Sequence, residues 1–495
     1  MKRGAGILMP ISSLPSKYGI GTLGKCAREF VDFLVEAGQT YWQVLPVGPT
    51  GYGNSPYQLI SVYAGNPYLI DLEDLVRDGY LTEEDLKEYP KVKSPLRVDY
   101  GQLYNERYKI LTKACLALSM TKDEDYFRFI REESYWLSNY ALFMAIKDIH
   151  GGASWTSWPE EYQNYQNAKV IELTSQLHEC ISLHLRMQYL FYKQMIALKK
   201  YANEKGILLI GDLPFYSGYD SLDTWVSKKY FLMNEDNTLS YVAGMPGQKW
   251  GNPLFNWDKI KEDGYSWWIQ RVAHQYRFFD ILRIDHFRGY YDYYKIPSDS
   301  KDAQDGIYCK SVGLEPFRIF QEKYGPKDMI IEDLGELSED FKQFVKDSKY
   351  PGMKILQYAF EPNDPEGYYM PFKYTDTNSV IYTGTHDNST LKGWMLEETG
   401  RASRACDYLG VSMKSLSQAM MKCAYGSICD VAIIQAQDIL ELDNTARMNA
   451  PGGSGNNWVW RCSPGAFTKT KANKLAEEMK LYGRYNWNAK KKENS

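Results

Sequence analysis

At 495 residues the chain is longer than one small core requires, so it forms either several domains or one large barrel with insertions. With 58 Lys+Arg against 62 Asp+Glu the formal net charge is -4, which removes any broad electrostatic basis for binding nucleic acid or an anionic membrane. Aromatic residues make up 15% of the chain, a supply of flat platforms that suits pyranose rings as well as ordinary cores.

At the N-terminus, Lys2 and Arg3 precede the apolar Ile7-Leu8-Met9, but Pro10 follows at once and no small-residue cleavage site appears. No apolar run approaches the roughly 18 residues of a membrane span. The eight cysteines are scattered with no C-x-x-C pair and read as reduced thiols. A cytoplasmic protein is expected.

Eight short apolar runs then follow, each broken by Gly, Pro or polar residues: 6–11, 41–47, 206–214, 281–286, 329–334, 354–360, 380–386 and 431–440. Near-continuous apolar runs are what buried parallel strands need, and eight is the number that closes a TIM (β/α)8 barrel. Between the second and third runs, helix-like stretches over 126–150 and 168–204 predict a mainly helical insertion at 68–200. Its Trp136, Trp155 and Trp158 read as packing within that insert. A smaller insertion is expected at 221–257, and the whole of 1–495 reads as one interrupted catalytic domain. The tail from 468 is basic and polar, with its end, 490–495, expected to fray.

Active sites of such barrels lie at the carboxyl ends of the strands. Four runs end there in acids: Asp212, Asp285, Glu332 with Asp333, and Asp387. The two-residue strand period puts Arg283 and Asp285 on one face, where the cation favours an ionised Asp285. Retaining glycosidic chemistry needs two carboxyl groups about 5–5.5 Å apart, one as nucleophile and one as acid and then base. Neighbouring strands lie ~4.8 Å apart, so Asp285 and Glu332 are candidates, with acidic neighbours expected to keep Glu332 protonated. Asp387 is a candidate for stabilising developing positive charge, although spacing alone does not rank it above Asp212. Six histidines without a His-x-His pair give no basis for a metal-dependent hydrolase, and no metal or other cofactor is expected.

Nine motifs in order extend this reading: Gly6-Ile-Leu-Met-Pro-Ile-Ser-Ser-Leu-Pro15, Gly53-Asn-Ser-Pro-Tyr57, Gly211-Asp-Leu-Pro214, Trp250-Gly-Asn-Pro253, Arg283-Ile-Asp-His-Phe-Arg-Gly289, Glu332-Asp-Leu-Gly335, Gly384-Thr-His-Asp-Asn388, Gln437-Asp438 and Ala446-Arg-Met-Asn-Ala-Pro-Gly452. Together they resemble glycoside hydrolase family 77, the amylomaltases and disproportionating enzymes, nearly end to end. The resemblance implies a 4-α-glucanotransferase acting on maltooligosaccharides or other α-1,4-glucans as donor and acceptor. It implies Asp285 as nucleophile, Glu332 as acid/base and Asp387 as the transition-state carboxylate. It also implies sugar-binding roles for Arg283, His386, Asp212, Tyr57, Ser55, Trp250 and Asn449, whereas His286 reads as a buried structural residue.

Two departures stand out. Segment 243–250 is several residues shorter than the family's acceptor-side loop, which keeps an α-glucan hydrolase open as an alternative. Ser389 stands where the family commonly has Asp. A non-catalytic glucan-binding protein is the remaining alternative, opposed by the intact acids.

Overall fold

The computed structural model describes residues 1–51, 53–453 and 455–491. Of the tail expected to fray, 490–495, residues 492–495 fall outside them, while 490 and 491 end the helix Trp487–Lys491. Among the described residues twelve strands form, in chain order β1 (Gly4–Leu8), β2 (Tyr41–Gln43), β3 (Leu208–Leu213), β4 (Tyr241–Met245), β5 (Gln248–Pro253), β6 (Ile281–Ile284), β7 (Asp292–Pro297), β8 (Ile307–Lys310), β9 (Met329–Ile331), β10 (Gly352–Ile355), β11 (Ser379–Tyr382) and β12 (Val431–Gln435).

Eight of them form one parallel sheet in the order β10-β11-β12-β1-β2-β3-β6-β9. Its two edges meet without a regular ladder. The Ile331 N–H donates to the Pro351 carbonyl at 3.0 Å, and the Met353 N–H donates to the Asp333 carboxylate at 2.6 Å. These two bonds draw β9 to β10 and nearly close a TIM barrel. Each of the eight apolar runs overlaps one of these strands, although β1, β10 and β11 begin one or two residues ahead of their runs. The strands are shorter than the runs because buried residues continue into the loops: β10 stops at Ile355, while Leu356 and Phe360 beyond it remain fully buried.

Helices cover the barrel with apolar stripes. Lys25–Glu36 turns Ala27, Phe30, Val31 and Leu34 inward at helical spacing. Glu339–Ser348 is started by Ser338, whose hydroxyl accepts the Phe341 N–H. Between β2 and β3 the chain passes through helices Tyr100–Ser119, Glu124–Glu132, Ser134–Ile149 and His178–Glu204. Trp136, Trp155 and Trp158 are buried there: the Trp155 indole donates to the Tyr219 carbonyl, and Trp158 meets Trp225 edge-on.

The sequence reading had no counterpart for the second sheet, antiparallel in the order β5-β4-β7-β8. It joins segment 241–253 to 292–310, which follows β6. Among the described residues its own small core is Leu239, Val242, Tyr294 and Ile296. Segment 243–250 is here a tight hairpin: Met245 pairs with Gln248 across Pro246-Gly247, and Gly247 takes the positive φ (84°) that such a turn requires. Among the described residues no helix is long and apolar enough to cross a membrane.

Candidate active site

Strand register builds the floor of the site. Asp212 on β3 lies beside Arg283 on β6, and Ile284 lies beside Ile331 on β9. The residues that follow this last pair are Asp285 and Glu332, which therefore leave adjacent strand ends together. Backbone bonds hold both in place: Asp285 N–H to Leu213 O at 3.1 Å, and Glu332 N–H to Ile284 O at 3.0 Å.

Arg283, almost wholly buried, ties three carboxylates together. Its Nη1 donates to both Asp212 oxygens at 2.7 Å and to Asp285 Oδ1 at 3.1 Å, while Nη2 lies 3.1 Å from Glu332 Oε2. The shared face expected of Arg283 and Asp285 is thus present. The fourth acid, Asp387, receives the Asn449 side-chain amide at 2.6 Å and lies 3.4 Å from His386 Nε2. The Tyr57 hydroxyl donates to Asp212 at 2.8 Å, and its ring stacks on His386 at 5.0 Å between centroids.

A cleft of about 1880 Å³ opens above this floor. Asp285, Glu332, Asp387, His386, Tyr57, Ser55, Trp250 and Asn449 all line it, whereas Asp212 and Arg283 lie beneath. This difference separates Asp387 from Asp212, which spacing did not. Ser55 reaches none of the acids; its hydroxyl accepts the Tyr57 N–H at 3.3 Å and shapes the loop that presents Tyr57. Trp250, on β5, meets the His286 ring edge-on at 4.9 Å.

The protonation pattern departs from expectation. Burial and the charge of Glu332 push the Asp285 carboxyl well above the usual range, against the pull of Arg283. Burial also works to raise Glu332, but Arg283 and the His286 N–H outweigh it and hold that carboxyl low. The reason is geometric: Glu332 Oε2 takes the His286 N–H at 2.6 Å as well as the guanidinium. The contacts of the two carboxyls thus bias them in opposite directions, Asp285 upward and Glu332 downward. Asp387 is held down at about 2, since His386, Asn449 and Arg283 together overcome its burial.

Two contributors escaped the sequence reading. His286 acts through its backbone, in a left-handed conformation (φ 44°) that aims its N–H at Glu332; no residue pattern announces this. Arg447 lies in the Ala446–Gly452 motif but was given no role there. Its guanidinium donates to the Asp387 backbone oxygen at 2.7 Å, the Asn449 oxygen at 2.7 Å and the Ser389 hydroxyl at 2.9 Å.

The family model described as 4-alpha-glucanotransferase, glycoside hydrolase family 77, matches residues 9–468. The chain is similar to a 4-alpha-glucanotransferase of Clostridium butyricum, 40% identical over 96% of this chain and 100% of the relative. It is also similar to one of Streptococcus pneumoniae, 39% identical over 98% of each. Among solved structures, an amylomaltase from Streptococcus agalactiae in complex with acarbose superposes with a TM-score of 0.95 at 35% identity, covering 98% of this chain and 100% of that one.

Proposed function

The chain belongs to the 4-alpha-glucanotransferases of glycoside hydrolase family 77, and from that premise we propose a retaining transfer of α-1,4-glucan segments through a covalent glycosyl-Asp285 intermediate. The observation that carries the mechanism is the pairing of Asp285 and Glu332 at adjacent strand ends under one guanidinium. A retaining enzyme needs its two carboxyl groups about 5–5.5 Å apart, which this bridge favours.

The donor glucan lies in the cleft against Tyr57 and Trp250. Its glycosidic oxygen offers Glu332 an acceptor, which favours a protonated Glu332, and the positive charge developing at the anomeric carbon favours an ionised Asp285. Donor binding therefore favours a protonated Glu332 beside an ionised Asp285, the state from which the reaction proceeds. Glu332 Oε2 is occupied by Arg283 and His286, so Oε1 is the oxygen that delivers the proton. Asp285 attacks the anomeric carbon as the glycosidic bond breaks, and the leaving sugar takes the proton from Glu332. The 4-hydroxyl of an acceptor glucan or glucose then gives its proton back to Glu332 and displaces Asp285, which restores the α-link. Asp387, already ionised, stabilises the oxocarbenium-like charge in both steps. The eight free cysteines support a reducing, cytoplasmic setting.

A hydrolase reading is favoured by one feature, the short hairpin 241–253, which leaves less protein over the cleft to exclude water. Incubation with maltotriose separates the two. Transfer yields glucose and longer maltooligosaccharides at constant total reducing ends; a rise in reducing ends overturns transfer in favour of hydrolysis. Asp285→Asn is expected to abolish both, and unchanged turnover in that variant overturns the nucleophile assignment.

A further inference from the structure

We propose that Asp148, Cys180 and His184 form a binding site for a divalent cation of the zinc class at the wall of the cleft. Helix His178–Glu204 carries Cys180 and His184 four residues apart, hence on one face. Helix Ser134–Ile149 brings Asp148, in its last turn, against them. Asp148 Oδ2 lies 2.7 Å from His184 Nε2 and 3.6 Å from Cys180 Sγ, and the three donor atoms all lie within 4.8 Å of one another.

These separations suit tetrahedral coordination. Bonds of ~2.0–2.3 Å from zinc to N, O and S place neighbouring donors ~3.3–3.6 Å apart. The sulfur-to-carboxylate distance already matches. The imidazole-to-carboxylate pair must open by less than ~1 Å, a motion within reach of the exposed Asp148 against the buried His184. One sulfur, one imidazole and one carboxylate select Zn²⁺, Co²⁺ or Ni²⁺ over Mg²⁺ or Ca²⁺. All three residues line the cleft, so the fourth position opens to water.

A second observation points the same way. Asp148 sits at a helix C-terminus, where the helix dipole disfavours negative charge and welcomes a cation. Among the described residues its ion-pair partner is His184, while the adjacent Lys147 turns to the Ala153 carbonyl and Asp220. A bound cation serves both the carboxylate and the helix end. The metal–sulfur bond forms as the Cys180 S–H proton passes to bulk water, with no change in oxidation state. The cluster's side-chain bonds run among its own members and to none of Asp285, Glu332 and Asp387.

Titration of the full-length protein with Co²⁺, followed by its thiolate-to-metal charge-transfer band, tests the site. One equivalent of Co²⁺ is expected to give the band, Zn²⁺ to abolish it by displacement, and excess Mg²⁺ to leave it unchanged. Cys180→Ser should remove the band, and His184→Gln and Asp148→Asn should each weaken Co²⁺ binding about 10–100-fold with circular dichroism unchanged. Absence of the band, its persistence in Cys180→Ser through another of the eight thiols, or undiminished affinity in both other variants overturns the proposal.

Discussion

Arg447 donates to the backbone oxygen of Asp387 at 2.7 Å and so holds that acid from behind, while Asn449 holds it from the side. The same guanidinium reaches Ser389, whose hydroxyl donates to Glu397 at 2.5 Å; Asn444 donates to the other Glu397 oxygen at 2.6 Å. Ser389 carries no charge, and the carboxylate that balances Arg447 sits one step further out, on Glu397. Arg447→Ala is expected to lower kcat for maltotriose about 10²-fold, because small misplacements of a reacting group are amplified. KM should move much less. A loss confined to KM would show that Arg447 serves binding and not the placement of Asp387.

Glu332→Gln separates protonation of the leaving group from attack. It is expected to lower maltotriose turnover about 10²–10⁴-fold. An α-glucosyl fluoride, whose leaving group needs no proton, should still form the glycosyl-enzyme. Neutralising residue 332 also removes one of the influences that raise Asp285. The acid limb of the fluoride reaction, which follows ionisation of Asp285, should therefore move to lower pH. Measurement of glycosyl-enzyme formation against pH checks both outcomes.

Asp438 lies fully buried behind β12, where it accepts the Thr383 hydroxyl and the Leu391 N–H at 2.7 Å, and burial pushes its carboxyl up to about 7. An unfolded Asp ionises near ~3.9, so between about pH 4 and 7 the folded state binds more protons than the unfolded one. Stability is therefore lost as pH rises through that window, by up to about 4 kcal/mol. Asp438→Asn keeps an acceptor for Leu391 and carries no charge. Urea unfolding at pH 5 and pH 8 should show a smaller difference in the variant than in the parent.

Gly6→Ala tests the barrel wall. A Cβ at Gly6 would lie 2.5 Å from the Tyr41 carbonyl oxygen and 2.6 Å from Tyr41 Cβ on the neighbouring strand, and neither can yield without moving β2. A loss of about 1–3 kcal/mol in denaturant unfolding is expected.

The parts legible in the sequence are those in which composition and geometry coincide. Val431-Ala-Ile-Ile reads as a strand because both of its faces are buried, and the acids at the ends of β3, β6 and β9 stand out because polar residues interrupt such runs. The second sheet has no such signature: Asp292–Pro297 and Ile307–Lys310 are mostly half-buried or exposed, and only Tyr294 and Ile296 are buried. The order of proton affinity in the Asp285–Glu332 pair was illegible for another reason. It turns on the Arg283 guanidinium and the His286 N–H that both meet Glu332, the second a backbone property that side-chain identities do not encode.

Trp250 links that backbone property to the contest between transfer and hydrolysis. It stands on the short hairpin with its indole N–H donating to Gln248 Oε1 at 3.0 Å, and its ring meets His286 edge-on. The residue proposed as a sugar platform thus also packs against His286, whose left-handed turn holds Glu332. Trp250 lines the cleft beside His286, so in the proposed mechanism it is a candidate for keeping water from the glycosyl-enzyme. Trp250→Ala should raise the acceptor KM about 10-fold, since an aromatic platform is worth roughly 1–2 kcal/mol. The second step then loses its bias toward sugar, and the fraction of maltotriose turnover that creates new reducing ends should rise. An unchanged ratio of transfer to hydrolysis, alongside a weakened acceptor KM, would place water exclusion elsewhere in the cleft wall.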